Sequence, residues 1–466
     1  MMYIMLDYYQ KVFIKSSINS VYFMKVRFPP SPTGMLHIGN ARVAVVNYLF
    51  AKKYGAFYAM RFDDTDVVRS KEDFKESMLE DLAWLGIKFD AEPIYQSKRT
   101  EIYQEALNTL VKIGRVYECF ETKEELELKK KVQTSRHLPL IYDRTALNTT
   151  PQMREQFIAE GRIPYYRFLI KHEETTWEDG VQGVISFQGR DITDPIITRT
   201  DGSFMYSFCS IVDDYTTDVS HIIRGADHIT NTAVQKQIFE ALNDAYGNQK
   251  TINFLHLPLF QAKTGKISKR VGGFGIRELA AQGFEKKAII NFLASIGKST
   301  FSDEMHAIEQ IIDEFDIESF SRSEVTFDPS VLENFNLKCL SSYSFNEVSE
   351  RLSGIPSQFF DDFKCNIEKL DDIKTWWNIA STSKLYLEQL TLEQKTLFSR
   401  FVGILSEIAE QDWNAKWQTA MEKLKSEFPS VKGKELFMPL RIGFSGLEHG
   451  VDLKTFAKWK LKNVAE

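Results

Sequence analysis

Pro30-Ser31-Pro32-Thr33-Gly34-Met35-Leu36-His37-Ile38-Gly39-Asn40 decides how this chain begins to fold. Just before it, residues 26–28 form a short apolar strand, which Pro29 and Pro30 stop because neither has a backbone donor for the ladder. Just after it, residues 40–54 read as a helix apolar nearly all round (Val43, Val45, Val46, Leu49, Phe50), hence buried on most sides. Gly55 is placed to end that helix, and residues 56–62 follow as a buried strand. Strand, loop, helix, strand opens a nucleotide-binding α/β sheet, whose ligands sit beyond the carboxyl ends of the strands.

Working outward, residues 71–85 and 98–113 carry amphipathic helix patterns. Residues 117–166 are mixed and polar, and the charged run 123–131 reads as a solvated helix face. Strand-like stretches at 165–170, 184–187 and 196–199 precede a turn at Asp201-Gly202; residues 221–224 and 230–245 then give a further strand and a helix. The first sheet is therefore expected to be interrupted by an insertion and then resumed. Past Gly272 the character changes: residues 276–282, 286–296 and 303–315 read as helices, and so does most of the remainder to Glu466, with Trp376, Trp377 and many Phe as core.

The chain has 466 residues, enough for several domains, and its 43% hydrophobic and 26% charged content are ordinary for a globular protein. No run of eighteen apolar residues predicts a membrane span. A net charge of −6 argues mildly against nucleic-acid binding, but a basic stripe on one face can coexist with an acidic remainder. Cys119, Cys209, Cys339 and Cys365 are far apart with no CxxC pair, which offers neither a disulfide framework nor a zinc quartet and suits a reducing cytosol. Residues 1–24 read as an extension, either disordered or the product of a start assigned too early, since the organised pattern begins at Lys25.

Two loops carry the chemistry. His37 and Gly39 stand at a helix N-terminus, where unpaired N–H groups and partial positive charge make a natural phosphate site; Gly39 admits close approach and His37 can donate to a phosphate oxygen. Alone, this pattern reads more readily as a histidine cap. Downstream, Lys266-Ile267-Ser268-Lys269-Arg270 precedes Gly272-Gly273 and supplies cations suited to charge building on a departing pyrophosphate. Alone, it reads as a solvated basic loop.

In this order, the two segments resemble the paired motifs of class I aminoacyl-tRNA synthetases. Arg27 with the Pro-Ser-Pro-Thr-Gly turn, Arg61-Phe62-Asp63-Asp64-Thr65-Asp66, Val212-Asp213-Asp214 and Ile223-Arg224-Gly225-Ala226-Asp227-His228 narrow the resemblance to bacterial-type glutamyl-tRNA synthetases. The tail, with Lys432-Gly433-Lys434-Glu435-Leu436-Phe437, Pro439-Leu440-Arg441 and Glu448-His449-Gly450, fits the same family, so the resemblance runs from about Lys25 to the end. It implies a Rossmann-type parallel sheet split by an insertion domain and followed by an all-α anticodon-binding half.

The resemblance implies catalysis by His37, Lys266 and Lys269, and ATP binding by Thr33, Gly34, His37, Gly39, Asn40 and Lys269. Glutamate would be held by Arg27, Ser31, Asp63, Tyr206, Ser210 and Arg224, a forked guanidinium suiting a carboxylate. Asp63 stands where a glutamate is commonest, Ser210 replaces an asparagine and His228 a tryptophan. The implied division is 25–98 and 206–262 for the catalytic sheet, 99–205 for an acceptor-binding insertion, 263–340 for a stem-contact domain, and 341–466 for anticodon binding. The implied substrates are ATP with Mg2+, L-glutamate and tRNA(Glu), with tRNA(Gln) left open, in a cytoplasmic monomer. Some relatives hold zinc in the insertion; here Cys119 lacks Cys or His partners nearby in the chain, so no structural zinc is expected. A glutaminyl-tRNA synthetase would continue with β-barrels, which the helical C-terminal half disfavours. A nucleotidyltransferase of the same superfamily would not need that half.

Overall fold

The computed structural model describes residues 24–66, 68–262, 274–300 and 302–464. Lys266, Lys269 and Arg270 lie outside these residues, as does the extension 1–23.

The first half-sheet is β1 (Lys25–Phe28), β2 (Phe57–Phe62) and β3 (Ile94–Tyr95), all parallel, with Lys25 opposite Phe57 and Arg61 opposite Ile94. Between β1 and β2 runs α1 (Ile38–Tyr54), two residues longer at its start than the sequence pattern suggested, because His37 caps it. Gly55 closes it in the left-handed conformation, φ 66°. Strands buried on both faces and a helix apolar all round belong together: Val26, Ile38, Val46, Leu49, Tyr58 and Met60 have no exposed surface. Burying each such side chain stabilises by about 1.5–3 kcal/mol.

After α2 (Glu72–Trp84) and α3 (Thr100–Lys112) comes a separate antiparallel sheet of β4 (Val116–Cys119), β5 (Tyr165–Phe168) and β8 (Ile196–Thr198), in that spatial order. The charged run is α4 (Lys123–Ser135), begun by a Thr122–Glu125 capping box and burying no residue, as its composition predicted. Between β5 and β8 the chain makes a hairpin, β6 (Glu174–Asp179) and β7 (Gly183–Gln188), which joins the second half-sheet, in the order β7-β6-β10-β9 with β9 at His221–Gly225 and β10 at Asn253–Leu257.

That half-sheet is formed by β9 (His221–Gly225) and β10 (Asn253–Leu257), parallel, with Arg224 opposite His256. α5 (Pro151–Ala159) lies in the insertion, whereas α6 (Tyr206–Thr216) and α7 (Ile229–Tyr246) flank β9 in the chain. The two half-sheets meet at β1 and β9, where Ser220 N donates to Lys25 O at 3.0 Å and Lys25 N to Ser220 Oγ at 2.8 Å. From β1 the strands run out through β2 to β3, and from β9 through β10 to β6. Strand order thus reverses between β1 and β9, the crevice where open α/β sheets bind ligands.

Among the described residues beyond Gly275, the regular elements are helices apart from β12 (Val325–Phe327), which pairs with β11 (Phe260–Ala262). The helix expected over 303–315 is only Ile308–Asp313. Asn291 explains the difference: its Oδ1 accepts His306 N at 2.8 Å and its Nδ2 donates to His306 O at 3.1 Å, holding the approach extended. In the C-terminal half Phe359 stacks edge-on against Trp377 and Trp459, with centroids 5.0 and 5.4 Å apart. Gly450 comes so close to Trp376 that a Cβ would lie 2.0 Å from its ring. The tryptophans are core, as expected.

Candidate active site

The loop from β1 to α1 is pinned at several points. Thr33 N donates to Ser31 O at 2.8 Å, Lys71 N to Pro32 O at 3.2 Å, and Asp63 N to Pro30 O at 3.0 Å. Ser31 and Thr33 are exposed, and a Cβ built on Gly34 would meet nothing within 4 Å, so this rim is open to a ligand. His37 Nδ1 accepts the Asn40 backbone N–H at 3.3 Å. A bare Nδ1 leaves the proton of the neutral ring on Nε2, a donor on its far edge. The protein crowding one side of the ring lowers the His37 pKa, which favours that neutral form. Gly39 is needed here: a Cβ would stand 3.1 Å from His37 Nδ1.

The same turn is bolted to the chain that follows the second motif. Ile38 N donates to Phe274 O and Ile276 N to Leu36 O, both at 3.0 Å, and His37 bridges Gly275. Gly275 follows Lys269 by six positions. The turn that carries His37 is therefore tethered by backbone hydrogen bonds to residues 274–276.

Arg27, on β1, and Arg61, on β2, converge on one carboxylate of α6. Arg27 Nε and Nη2 donate to Asp214 at 3.0 and 3.2 Å, and Arg61 Nη1 donates to the same group at 2.6 Å. Arg61 also donates through Nε to Asp63 at 2.7 Å and through Nη2 to Ser210 Oγ at 3.0 Å. Asp213, next to Asp214, accepts from Gln96, Arg99 and Tyr103 at 2.9, 2.6 and 2.9 Å. All of these acids are buried. Burial raises the Asp63 pKa to about 6, the opposing pull of Arg61 notwithstanding. Burial would raise Asp214 too, but Arg27 and Arg61 outweigh it and hold Asp214 below the ordinary value. Removing any one charge from such a network leaves the others uncompensated.

Arg224, the penultimate residue of β9, stands on the other side of the crevice. Its Nη2 donates to Thr232 Oγ1 at 2.6 Å and its Nε to His256 Nε2 at 3.4 Å. Burial, and after it the charge of Arg27, lowers the Arg224 pKa to about 10, while the nearby Tyr206 hydroxyl works the other way. Tyr206 senses Asp63, Arg224, Arg27 and Arg61 together, so its hydroxyl marks where these side chains meet. His228 packs on it, ring centroids 5.9 Å apart, with a pKa lowered to about 4 by burial and by Arg224. Among the described residues, Nη1 of Arg27 and Nη1 of Arg224 are buried without a hydrogen-bond partner.

Arg27, Asp63, Tyr206, Ser210 and Arg224 are thus brought together, with Thr33, Gly34, His37, Gly39 and Asn40 along the neighbouring rim. Sequence reasoning quoted Arg61, Asp213 and Asp214 as motif residues without giving them a task, and it passed over Thr232, His256 and Asp179. Two acids side by side in an otherwise apolar helical stretch, Val212-Asp213-Asp214, were the available signal.

Among the described residues no group of three or more His, Cys, Asp or Glu is disposed to hold a metal. Around Cys119, burial followed by Glu121 pushes the thiol up to about 12, so it stays protonated. Tyr142 donates to Glu121, and Lys129 reaches Glu121, Asp143 and Thr145 at 3.2, 3.1 and 2.6 Å.

Residues 23–334 match the family described as tRNA synthetases class I (E and Q), catalytic domain. The chain is 41% identical over 435 residues to glutamate–tRNA ligase 1 of Rickettsia akari (strain Hartford), covering 92% of this chain and 94% of that one. It is 42% identical over 434 residues to glutamate–tRNA ligase 1 of Rickettsia prowazekii (strain Madrid E), with the same coverage. In fold it is similar to the crystal structure of a glutamate tRNA ligase from Elizabethkingia meningosepticum CCUG26117 in complex with its amino acid, at 22% identity and a TM-score of 0.74 over 95% of this chain and 98% of that one. A split parallel sheet with two buried arginines at its crevice, a helical C-terminal half and these relatives agree, and the chain belongs to the glutamate–tRNA ligases, a family of class I aminoacyl-tRNA synthetases.

Proposed function

We propose that the crevice between β1 and β9 is the glutamate pocket, with Arg27 and Arg224 as the residues that read the side-chain carboxylate. The observation that carries this is their pair of buried, partnerless Nη1 groups. A buried donor left unmade costs about 1–3 kcal/mol, more when charged, so each guanidinium is poised for an anion. Glutamine offers no negative charge to satisfy them, which makes the pocket selective against it. Asp63 takes the α-ammonium with the carboxylate lone pairs that Arg61 does not use, and Tyr206, Ser210 and Ser31 complete the lining.

Reaction proceeds in two acyl steps. The α-carboxylate oxygen of glutamate attacks the α-phosphorus of MgATP, forming the mixed anhydride as the bond to pyrophosphate breaks; the carboxylate is already ionised, so no base is required. His37 Nε2–H, the N-terminus of α1, Lys266 and Lys269 stabilise the charge that develops on the phosphates, with Thr33, Gly34, Gly39 and Asn40 as the ATP rim. The 3′-terminal adenosine hydroxyl then takes the glutamyl group from the adenylate and AMP leaves. In this reading the insertion, residues 99–205, holds the acceptor end and residues 341–466 the anticodon, where unstacked bases lie on aromatic and arginine side chains. The pocket reads only the amino acid, so tRNA(Gln) is a second acceptor to be tested beside tRNA(Glu).

The protein works in the cytoplasm as a monomer without structural zinc; the Glu121–Tyr142–Lys129 hydrogen bonds supply a cross-link in the insertion. Pyrophosphate exchange tests the pocket assignment: Arg27→Gln and Arg224→Gln should each raise KM for glutamate at least about ten-fold, the loss of one charged hydrogen bond. Unchanged KM in both variants would refute it.

A further inference from the structure

Behind Arg224 stands a buried hydrogen-bond chain that starts on another strand. Asp179, at the end of β6, accepts backbone N–H groups of Val181, Gln182 and His256 on Oδ1, at 3.1, 3.0 and 3.0 Å. Its Oδ2 accepts Trp177 Nε1 at 3.3 Å and lies 2.5 Å from His256 Nδ1. His256 and the hydrogen bonding hold Asp179 ionised against the effect of its burial. An ionised carboxylate only accepts, so the proton between them sits on Nδ1 and His256 Nε2 is bare. That bare nitrogen faces Thr232 Oγ1 at 2.9 Å and Arg224 Nε at 3.4 Å, while Thr232 Oγ1 accepts Arg224 Nη2 at 2.6 Å. Asp179, His256, Thr232 and Arg224 are 3%, 0%, 0% and 5% exposed, so water has little access with which to replace a missing link.

We propose that Asp179, His256 and Thr232 are positioning residues for amino-acid recognition: they fix the histidine tautomer, occupy Nε and Nη2 of Arg224, and so reserve its Nη1 for the substrate carboxylate. The proposal rests on the reading of Arg224 as a glutamate ligand. The chain engages two of the three nitrogens and leaves the third unpaired. With the opposite tautomer an Nε2–H would point at the Arg224 Nε–H, donor against donor, and the guanidinium would turn away. The Thr232 hydroxyl, which can give its proton to His228 O at 3.1 Å, would accept from that Nε2–H without relieving the clash.

Asp179→Asn is the sharpest test. Three backbone donors require an oxygen at the Oδ1 position, so the new NH2 group occupies the Oδ2 position and donates to His256 Nδ1, forcing the proton to Nε2. Thr232→Val removes the hydroxyl at nearly constant shape, and Thr232→Ser keeps it. In pyrophosphate exchange with tRNA present, Asp179→Asn and Thr232→Val should each raise KM for glutamate about ten- to hundred-fold while KM for ATP stays within about two-fold. Thr232→Ser should restore glutamate KM, and neither change should add to the effect of Arg224→Gln. Melting curves identify a variant that fails to fold, in which case the Thr232 pair decides. Glutamate and ATP KM rising in parallel, or full additivity with Arg224→Gln, overturns the positioning role while the pocket assignment stands. If Arg224→Gln itself leaves glutamate KM unchanged, the pocket assignment fails and this inference with it.

Discussion

Asp214 grips Arg27 with both carboxylate oxygens, Oδ1 on Nε at 3.0 Å and Oδ2 on Nη2 at 3.2 Å, and leaves the remaining nitrogen, Nη1, buried without a partner. Because Arg61 shares the same carboxylate, at 2.6 Å, one residue orients the arm proposed to read glutamate and anchors the partner of Asp63.

Asp214→Asn should therefore do two things. Neutralising a buried acid between two arginines leaves both uncompensated, a destabilisation of about 3–5 kcal/mol. Thermal or urea unfolding checks that figure. The folded fraction should show KM for glutamate raised about ten-fold or more, with KM for ATP much less affected, since Asp214 bonds to Arg27 and Arg61 and not to the proposed ATP rim.

Asp63 gives a pH dependence with a definite sign. Its pKa stands near 6, above the ordinary 3.8, so the folded protein holds this proton more tightly than the unfolded chain. The corresponding stability is fully present below the ordinary value and is lost as pH rises through about 6. Substrate binding in the proposed pocket runs the other way, because only ionised Asp63 would attract the α-ammonium. KM for glutamate should fall as pH rises through about 6 and level off above it. Asp63→Asn should show high KM throughout and no inflection in this range.

His37 has two separable tasks. As the cap of α1 it contributes on the order of 1 kcal/mol, which His37→Asn retains and His37→Ala loses. In its proposed role as the Nε2–H donor to phosphate it is replaced by neither. Adenylate formation should drop about 100-fold in both variants, whereas the melting temperature should drop only in the alanine variant.

Lys269→Ala should slow adenylate formation by roughly two orders of magnitude or more while leaving tRNA affinity nearly unchanged, since a single lysine adds little to a large RNA interface. Single-turnover kinetics and filter binding read the two quantities separately. Equal turnover would remove Lys269 from the chemistry.

What was legible in the sequence was local. The proline turn, the apolar helix after it and Gly55 dictate one strand–helix–strand unit through backbone rules alone, and the structure follows them to within two residues. The charged run 123–131 became a helix with nothing buried, again a local matter. What was not legible was long-range pairing. Arg61 meets Ser210 and Asp214 across 149 and 153 positions, and Arg224 meets His256 across 32, distances over which no periodicity carries a signal. The strand Glu174–Asp179 alternates buried and exposed residues, but its Glu and Thr content hid it, and with it Asp179. The shortened helix at Ile308–Asp313 depended on Asn291, a side chain from another helix. The motif residues could be named from their order along the chain; their partners needed the folded structure.

The most direct test of the central claim is aminoacylation by the purified protein with MgATP, labelled glutamate or labelled glutamine, and tRNA(Glu) and tRNA(Gln) supplied separately. The pocket lined by Arg27 and Arg224 predicts that glutamate is attached to tRNA(Glu) and that glutamine is attached to neither tRNA at equal concentration. Efficient attachment of glutamine, or no attachment of glutamate to either tRNA, would contradict it.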